Sequence, residues 1–166
     1  MKLICATLLV IGIFFSTLLE NTREGWSGDY QKGLTAAQSG DYATALSELT
    51  PFAKQGDADA QSYLGLMYFK GDGVPQDYKT AAKWYRLAAE QGLAFAQGNL
   101  GTMYANGTGV IQDNVYAHMW GNIGASNGYE YGGKLRDEVA ELMTPAQIAE
   151  AQTLARECVA KNYKGC

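Results

Sequence analysis

Apolar residues recur with helical spacing along most of this chain, and glycine-rich turns separate the helical stretches. One such stretch contains four apolar residues on a single face: Ala60, Leu64, Met67 and Tyr68. They lie at positions i, i+4, i+7 and i+8, the spacing of an amphipathic helix. Gly71 and Gly73 follow, and two glycines so close together are unfavourable inside a helix. The pattern predicts a helix over about residues 58–70, then a turn and a second helix.

The same pattern occurs twice, because residues 57–92 and residues 93–128 align without a gap. Sixteen of the 36 aligned positions are identical, including Leu64/Leu100, Gly65/Gly101, Gly71/Gly107, Gln76/Gln112, Asp77/Asp113 and Trp84/Trp120. One helical hairpin of this size cannot bury its own apolar face, so successive hairpins are expected to stack. The chain is therefore predicted to be all-α, with a structural repeat of 36 residues.

Extending this period in both directions predicts about four helical hairpins within residues 26–166. The eight predicted helices lie near residues 29–39, 41–55, 58–70, 77–91, 94–106, 114–127, 130–143 and 145–161. The last hairpin, residues 129–162, departs from the repeat and carries many polar residues, as a terminal cap does. Its second helix is predicted to begin at Thr144, with Pro145 at the first helical position and Gln147 completing a capping box.

Small residues inside the predicted helices indicate how the helices pack. Gly65 and Gly101 occupy the same position of the two repeats, and glycine inside a helix costs about 1 kcal/mol relative to alanine. Their recurrence predicts close approach of a neighbouring helix. Gly121 and Gly124 replace bulkier residues of the preceding repeat, which predicts a loosely packed second helix there. Trp84 and Trp120 are predicted to lie in the core.

The repeated motif AxxLGxMYxxGxGVxQDxxxA, followed by a tryptophan and AAxQG, resembles the Sel-one-like repeat family, which is related to the tetratricopeptide repeats. The resemblance covers residues 41–128. It implies an α-solenoid with a right-handed superhelix, in which the first helix of each hairpin lines a concave face. It also implies a scaffold for protein–protein interaction, often in the bacterial envelope.

Positions that differ between the two repeats are candidates for a binding surface. Eight of them lie on the first helices, which line the groove if the family geometry holds: Tyr63, Leu66, Phe69, Lys70, Phe95, Asn99, Thr102 and Asn106. Aromatic residues are favoured as binding anchors because they bury a large area at low entropic cost. Alternatively, Tyr63 and Phe69 seal the junction with the preceding hairpin.

The N-terminal residues have the layout of an export signal. Lys2 is followed by seventeen uncharged residues, Leu3–Leu19, and acidic and basic residues follow that run. Residues 1–22 are therefore interpreted as a cleaved signal peptide or as a retained anchor in the inner membrane. Either interpretation places residues 26–166 outside the cytoplasm, in the periplasm or secreted.

Composition argues against several other functions. The net charge is −4 and the pI is near 5.0, so binding to nucleic acid through phosphate neutralisation is not expected. His118 is the only histidine, and we interpret it as a surface or groove-rim residue. No nucleophile–base motif or set of metal ligands stands out, so no catalytic residue, metal or cofactor is expected.

Two cysteines outside the N-terminal run, Cys158 and Cys166, could form a disulfide in an oxidising compartment. Free thiols or a bond to a partner are the alternatives.

The leading hypothesis is an exported, non-catalytic repeat scaffold whose partner is another protein or peptide. The alternatives are a hydrolase acting on cell-wall material and an anchored structural or assembly factor of the envelope.

Overall fold

A computed structural model describes residues 29–166, and every regular element in that range is an α-helix. The helices are α1 (29–39), α2 (Tyr42–Gln55), α3 (Ala58–Lys70), α4 (Tyr78–Ala89), α5 (Ala94–Asn106), α6 (Asn114–Ser126), α7 (Glu130–Ala140) and α8 (Pro145–Ala160). The predicted all-α fold is confirmed, with small differences at the helix ends. The predicted signal or anchor, residues 1–22, lies outside the described residues.

Backbone contacts divide the chain into two units, with the boundary between Glu48 and Leu49. In the described part of the first unit, residues 29–48, Lys32 forms an ion pair with Glu48. The second unit, residues 49–166, contains both full repeats and everything that follows them.

Aspartates begin the helices of the repeats, and glycines end them. Asp57 caps α3, and Asp77 and Asp113 cap α4 and α6, each accepting hydrogen bonds from backbone N–H groups of the first turn. Gly71 and Gly107 end α3 and α5 at φ angles of 81° and 66°, in the left-handed region that glycine adopts without strain. The predicted turn therefore follows from the residue types at these positions.

The two tryptophans differ in burial, which corrects part of the predicted core. Trp120 on α6 is fully buried, whereas Trp84 on α4 is only half-buried. The adjacent Tyr85 is 1% exposed and takes the central position in the first repeat. Because consecutive residues of a helix point about 100° apart, only one of these two large rings can face the core fully.

Close helix approach at Gly65 and Gly101 is confirmed. A Cβ atom on Gly65 would lie 2.9 Å from Cδ1 of Tyr85, so α4 places its ring directly over this glycine. A Cβ atom on Gly101 would lie 3.1 Å from the backbone nitrogen of Gly121, so α6 places its own backbone there. A side chain at either position would overlap with the neighbouring helix.

The prediction that Gly121 and Gly124 loosen α6 is wrong. A Cβ atom on Gly121 would lie 2.9 Å from the carbonyl oxygen of Gly132 on α7, and one on Gly124 would lie 3.1 Å from the backbone nitrogen of Gly98 on α5. These glycines allow α6 to approach two neighbouring helices at backbone distance. They tighten the packing because the space of a missing side chain is taken by another helix.

A buried glutamine joins the end of one hairpin to the start of the next. Gln97 is fully buried, and its Nε2 atom donates to the carbonyl oxygen of Ala89 at 3.1 Å. Its Oε1 atom accepts a hydrogen bond from Nδ2 of Asn127 at 2.8 Å. Gln61 makes the equivalent pair of hydrogen bonds one repeat earlier. The identity of this residue in both repeats thus has a structural cause.

The C-terminal helices pack on the second repeat. Both α7 and α8 contact α6, and α7 also contacts α5. The predicted capping box at the start of α8 is confirmed, since the Thr144 hydroxyl accepts from the Gln147 backbone and the Gln147 side chain accepts from the Thr144 backbone. Side chains of α6, α7 and α8 together line the larger of the two cavities described below.

Candidate binding site

A cavity of about 320 Å³ lies between α3 and α5, and three of the predicted groove residues line it. The lining residues are Asp59, Ser62, Tyr63, Leu66, Leu93 and Phe95. Tyr63 and Leu66 are half-buried on α3, while Phe95 at the start of α5 is 38% exposed. The two first helices therefore present apolar side chains to one concave surface.

The other predicted residues lie elsewhere on these helices. The Phe69 ring packs edge-on against the ring of Tyr78 on α4, with 5.3 Å between centroids, and also packs against the buried core. Lys70 and Asn106 are exposed at the last positions of α3 and α5. None of these three lines the α3–α5 cavity.

Asn99 and Thr102 use their polar atoms within α5. The Asn99 side-chain amide donates to the carbonyl oxygen of Phe95 at 2.8 Å, and the Thr102 hydroxyl donates to that of Gly98 at 3.0 Å. Their side chains are therefore partly occupied by their own helix. Neither residue lines the α3–α5 cavity.

A row of aromatic rings leads away from this cavity toward α7. The ring of Phe95 lies 5.6 Å from that of Tyr129, and the ring of Tyr129 lies 6.2 Å from that of Tyr131, which is 49% exposed. Burial raises the pKa of Tyr129 above its usual value, and Tyr131 adds a smaller rise. Neither tyrosine was predicted from the sequence, although the shift of 36 residues aligns Tyr131 with Phe95.

His118 is buried, at 3% exposure, so its interpretation as a surface or groove-rim residue is wrong. Burial lowers the pKa of His118 below its usual value, and the positive charge of Arg136 lowers it further, while Asp137 acts in the opposite direction. A neutral imidazole is therefore favoured. Among residues 29–166, no group of three or more histidine, cysteine, aspartate or glutamate side chains could hold a metal ion.

The C-terminal segment, residues 161–166, is held against the rest of the second unit by two kinds of contact. Cys158 near the end of α8 is joined to Cys166 by a disulfide, with 5.6 Å between their Cα atoms. Within the loop that this bond closes, the Tyr163 hydroxyl lies within hydrogen-bonding distance of the Asn127 side chain. The Tyr163 ring covers Gly92, where a Cβ atom would lie 3.1 Å from it.

Within residues 29–166, no helix combines the length and the apolar character needed to cross a membrane.

The packed helical hairpins define an α-solenoid, and comparison with known proteins identifies its repeats. Residues 58–93 and residues 94–129 each match the family model of the Sel1 repeat. The chain therefore carries two Sel1 repeats, and the resemblance to the Sel-one-like family is confirmed. Proteins built from these repeats generally serve as scaffolds that bind other proteins. A comparison with curated proteins gives no match.

Two solved structures are similar to this chain. One is a protective antigen present in uropathogenic Escherichia coli strains displaying an SLR fold; it is 30% identical, with a TM-score of 0.78, over 83% of this chain and 30% of that protein. The other is a Sel1 repeat protein from Oxalobacter formigenes, 33% identical, with a TM-score of 0.62, over 64% of this chain and 44% of that protein. The chain thus spans less than half the length of either.

Proposed function

We propose that this chain is an exported, non-catalytic scaffold that binds a peptide segment of another protein in the cavity between α3 and α5. The observation that carries the proposal is the convergence of Tyr63, Leu66 and Phe95 on this one surface. All three differ from their counterparts in the neighbouring repeat, so the repeat itself does not require them. Large side chains in a concave surface are typical anchors for a partner.

The chemistry of the lining indicates which peptide fits. Asp59 is its only charged residue, and Leu66, Leu93 and Phe95 supply its apolar part. An apolar side chain of the peptide would be buried against these carbon atoms, which is the main source of affinity. A lysine or arginine beside it would meet the Asp59 carboxylate. The preferred occupant is therefore a peptide with an apolar residue next to a basic one.

Two features support export. The uncharged run Leu3–Leu19 follows Lys2, as in a signal peptide or an N-terminal anchor. The disulfide between Cys158 and Cys166 is of a kind that persists in oxidising compartments and is rare in the cytosol. We place the mature chain in the periplasm or outside the cell.

Peptide binding is tested with fluorescently labelled short peptides that carry leucine or phenylalanine beside lysine. Fluorescence anisotropy measures their affinity for the full chain and for the Tyr63→Ala and Leu66→Ala variants. Loss of a true anchor typically costs about 2 kcal/mol of binding, or roughly thirty-fold in affinity. Replacing lysine by glutamate in the peptide is expected to weaken binding as well, because Asp59 repels the new charge.

Leu87→Ala is the matched control, since Leu87 is 46% exposed on α4 and lies outside the cavity lining. It should leave affinity unchanged. Thermal melts of all variants show whether truncation damages the fold. Should Tyr63→Ala and Leu66→Ala lower the melting temperature by several degrees without changing affinity, these residues seal a junction and the proposal fails.

Export is tested by N-terminal sequencing of the protein from the periplasmic, membrane and culture fractions. A mature start beyond Leu19 supports a cleaved signal and a freely diffusing binder. An intact N-terminus in the membrane fraction supports the anchored envelope factor. Recovery of the intact chain from the cytosol would contradict export.

A further inference from the structure

A second and larger cavity, of about 790 Å³, lies among α6, α7 and α8. Its lining residues are His118, Asn122, Ile123, Ser126, Arg136, Asp137, Gln152, Ala155, Arg156, Val159 and Ala160. The α3–α5 cavity shares none of these residues. The lining of this cavity thus combines two guanidinium groups and several neutral polar groups with a short apolar wall. The lining of the α3–α5 cavity is instead mostly apolar.

Arg136 is held in place by its neighbours. Its Nε and Nη2 atoms lie 2.8 and 2.7 Å from Oδ1 of Asp137, and its Nη1 atom donates to Oδ1 of Asn122 at 3.3 Å. The backbone of Arg136 also lies against Gly121 of α6. Asp137 partly balances its charge, and the contacts with Asp137 and Asn122 orient its guanidinium toward α6.

Arg156 on α8 supplies a positive charge that no carboxylate within residues 29–166 pairs with directly. Its Nη2 atom donates to the hydroxyl of Thr153 at 2.9 Å, and it forms no ion pair with any residue in the range 29–166. The hydrogen bond to Thr153 occupies one of its five N–H groups, so most of the guanidinium is available to a ligand.

His118 adds a buried polar group that the fold leaves without a partner. The residue is 3% exposed, and its Nδ1 atom has no hydrogen-bond partner among the described residues. An unpaired buried polar atom costs free energy, and where one occurs in a cavity wall it points to a ligand or water in that cavity. The repeat does not require it, because the aligned residue of the first repeat is Ala82.

We propose that this cavity binds a carboxylate group of a peptide, with Arg156 as the main partner of the carboxylate and Arg136 as the second. A planar guanidinium matches a carboxylate with two parallel hydrogen bonds, which makes arginine well suited to this group. Gln152 and Ser126 can donate further hydrogen bonds, and Ile123, Ala155 and Val159 can contact the carbon atoms next to the carboxylate.

Asp137 decides which anions fit. Its carboxylate lies in the same lining and repels a ligand of high negative charge, so a singly charged carboxylate is preferred to a dense polyanion. The site therefore selects for a charge opposite to that preferred by the α3–α5 cavity, where Asp59 favours a basic residue. The two sites can be tested independently for this reason.

Binding is measured by NMR through the imidazole signals of His118. These signals are unique in the spectrum of the untagged full chain, because the sequence has one histidine. The probe is a short peptide with a single glutamate between valines, acetylated and amidated at its ends. Saturable shifts of the His118 signals are expected with this peptide and not with its glutamine counterpart. A glutamine peptide with a free C-terminal carboxylate is measured as well. Shifts with this peptide would show that the site accepts the carboxylate of a chain terminus, whereas shifts with the glutamate peptide alone would show that it requires an acidic side chain.

Arg156→Gln is the decisive variant, because Arg156 is exposed and its loss should leave the fold intact. Binding of the glutamate peptide is expected to weaken about tenfold, the usual effect of losing a charge-assisted hydrogen bond. Lys54→Gln removes the same charge from an exposed position of α2 outside the cavity and should leave the affinity unchanged. Equal shifts with the glutamate and amidated glutamine peptides, no shift with any peptide, or equal effects of the two variants would overturn the proposal.

Discussion

The two Sel1 repeats share their pattern of identical residues, but the two helices of each repeat pack together in different ways. In the first repeat, α4 places the buried Tyr85 ring over Gly65 of α3. In the second, Gly121 takes the register of Tyr85, and the backbone of α6 approaches Gly101 of α5 directly. The Tyr85 side chain fills the space in the first repeat, whereas the backbone of α6 and the Leu135 side chain of α7 share it in the second.

The difference has a structural consequence on the far side of α6. Because Gly121 carries no side chain, α7 can also approach, and a Cβ atom on Gly132 would lie 2.7 Å from the Gly121 carbonyl oxygen. The second repeat therefore supports three helices, α5, α7 and α8, around α6. Side chains of α6, α7 and α8 line the cavity that contains Arg136 and Arg156.

The largest effect is expected for Gly132→Ala, which breaks the backbone contact of the second repeat. The added Cβ atom would lie 2.7 Å from the Gly121 oxygen and 2.9 Å from the Ala125 nitrogen, and backbone atoms cannot move aside as a side chain can. We expect a loss of about 3 kcal/mol in the free energy of unfolding, measured by urea denaturation.

Gly133→Ala is its matched control, one residue further along α7. The new Cβ atom would lie 3.7 Å from Cβ of Ala125, an ordinary contact distance. Because alanine favours the helix over glycine by about 1 kcal/mol, this variant should be neutral or more stable. Equal destabilisation by both substitutions would show that helix propensity, and not close packing, governs α7.

Removing the disulfide loosens the C-terminal segment, whose Tyr163 contacts Gly92 and Asn127. The Cys158→Ser/Cys166→Ser variant should lose roughly 2–3 kcal/mol, because opening this short loop restores entropy to the unfolded chain. The measurement is urea denaturation of the variant and of the oxidised protein. Labelling of both cysteines by a maleimide in the denatured, unreduced protein would instead show that the thiols are free.

Gly65→Val tests the ring contact of the first repeat. The added side chain overlaps with the Tyr85 ring, so we expect a loss of about 2 kcal/mol and a lower melting temperature. The contact is with a side chain, so shortening that side chain should relieve the overlap. The Gly65→Val/Tyr85→Leu double variant should therefore be more stable than the sum of the single effects predicts. Strict additivity would contradict direct overlap between these residues.

The smallest effect concerns His118, which occupies the register of Ala82. Burial lowers the pKa of His118 in the folded protein below its usual value of about 6.5, so the unfolded chain takes up the proton first as the pH falls. The contribution of neutral His118 to the free energy of unfolding is therefore complete above about pH 6.5. Below that pH the contribution declines until the pH passes the lowered pKa of the folded state. Melting temperatures across this range should fall less steeply for His118→Ala. Parallel profiles for the two proteins would contradict a lowered pKa.

Part of the candidate site was predictable because it depends on residue type and spacing along a helix. Tyr63, Leu66 and Phe95 stood out as departures from the repeat on its first helices, and the structure brings them to one cavity. Tyr131 was within reach of the same reasoning, because the 36-residue shift aligns it with Phe95. Phe69 was not distinguishable from these residues by spacing, and only the position of the Tyr78 ring shows that it packs away from the cavity.

The sequence by itself determined the helices, their ends and their repetition, because apolar periodicity, aspartate caps and glycine turns act over a few neighbouring residues. The tertiary structure alone decided what occupies the space beside each small residue. Gly121 suggested looseness in the sequence, yet it became a point of close contact, because the distance between two helices depends on both surfaces and on what packs behind them. The cavity containing His118, Arg136 and Arg156 arises in the same way, since side chains from three successive helices, α6, α7 and α8, meet around it only when those helices pack together.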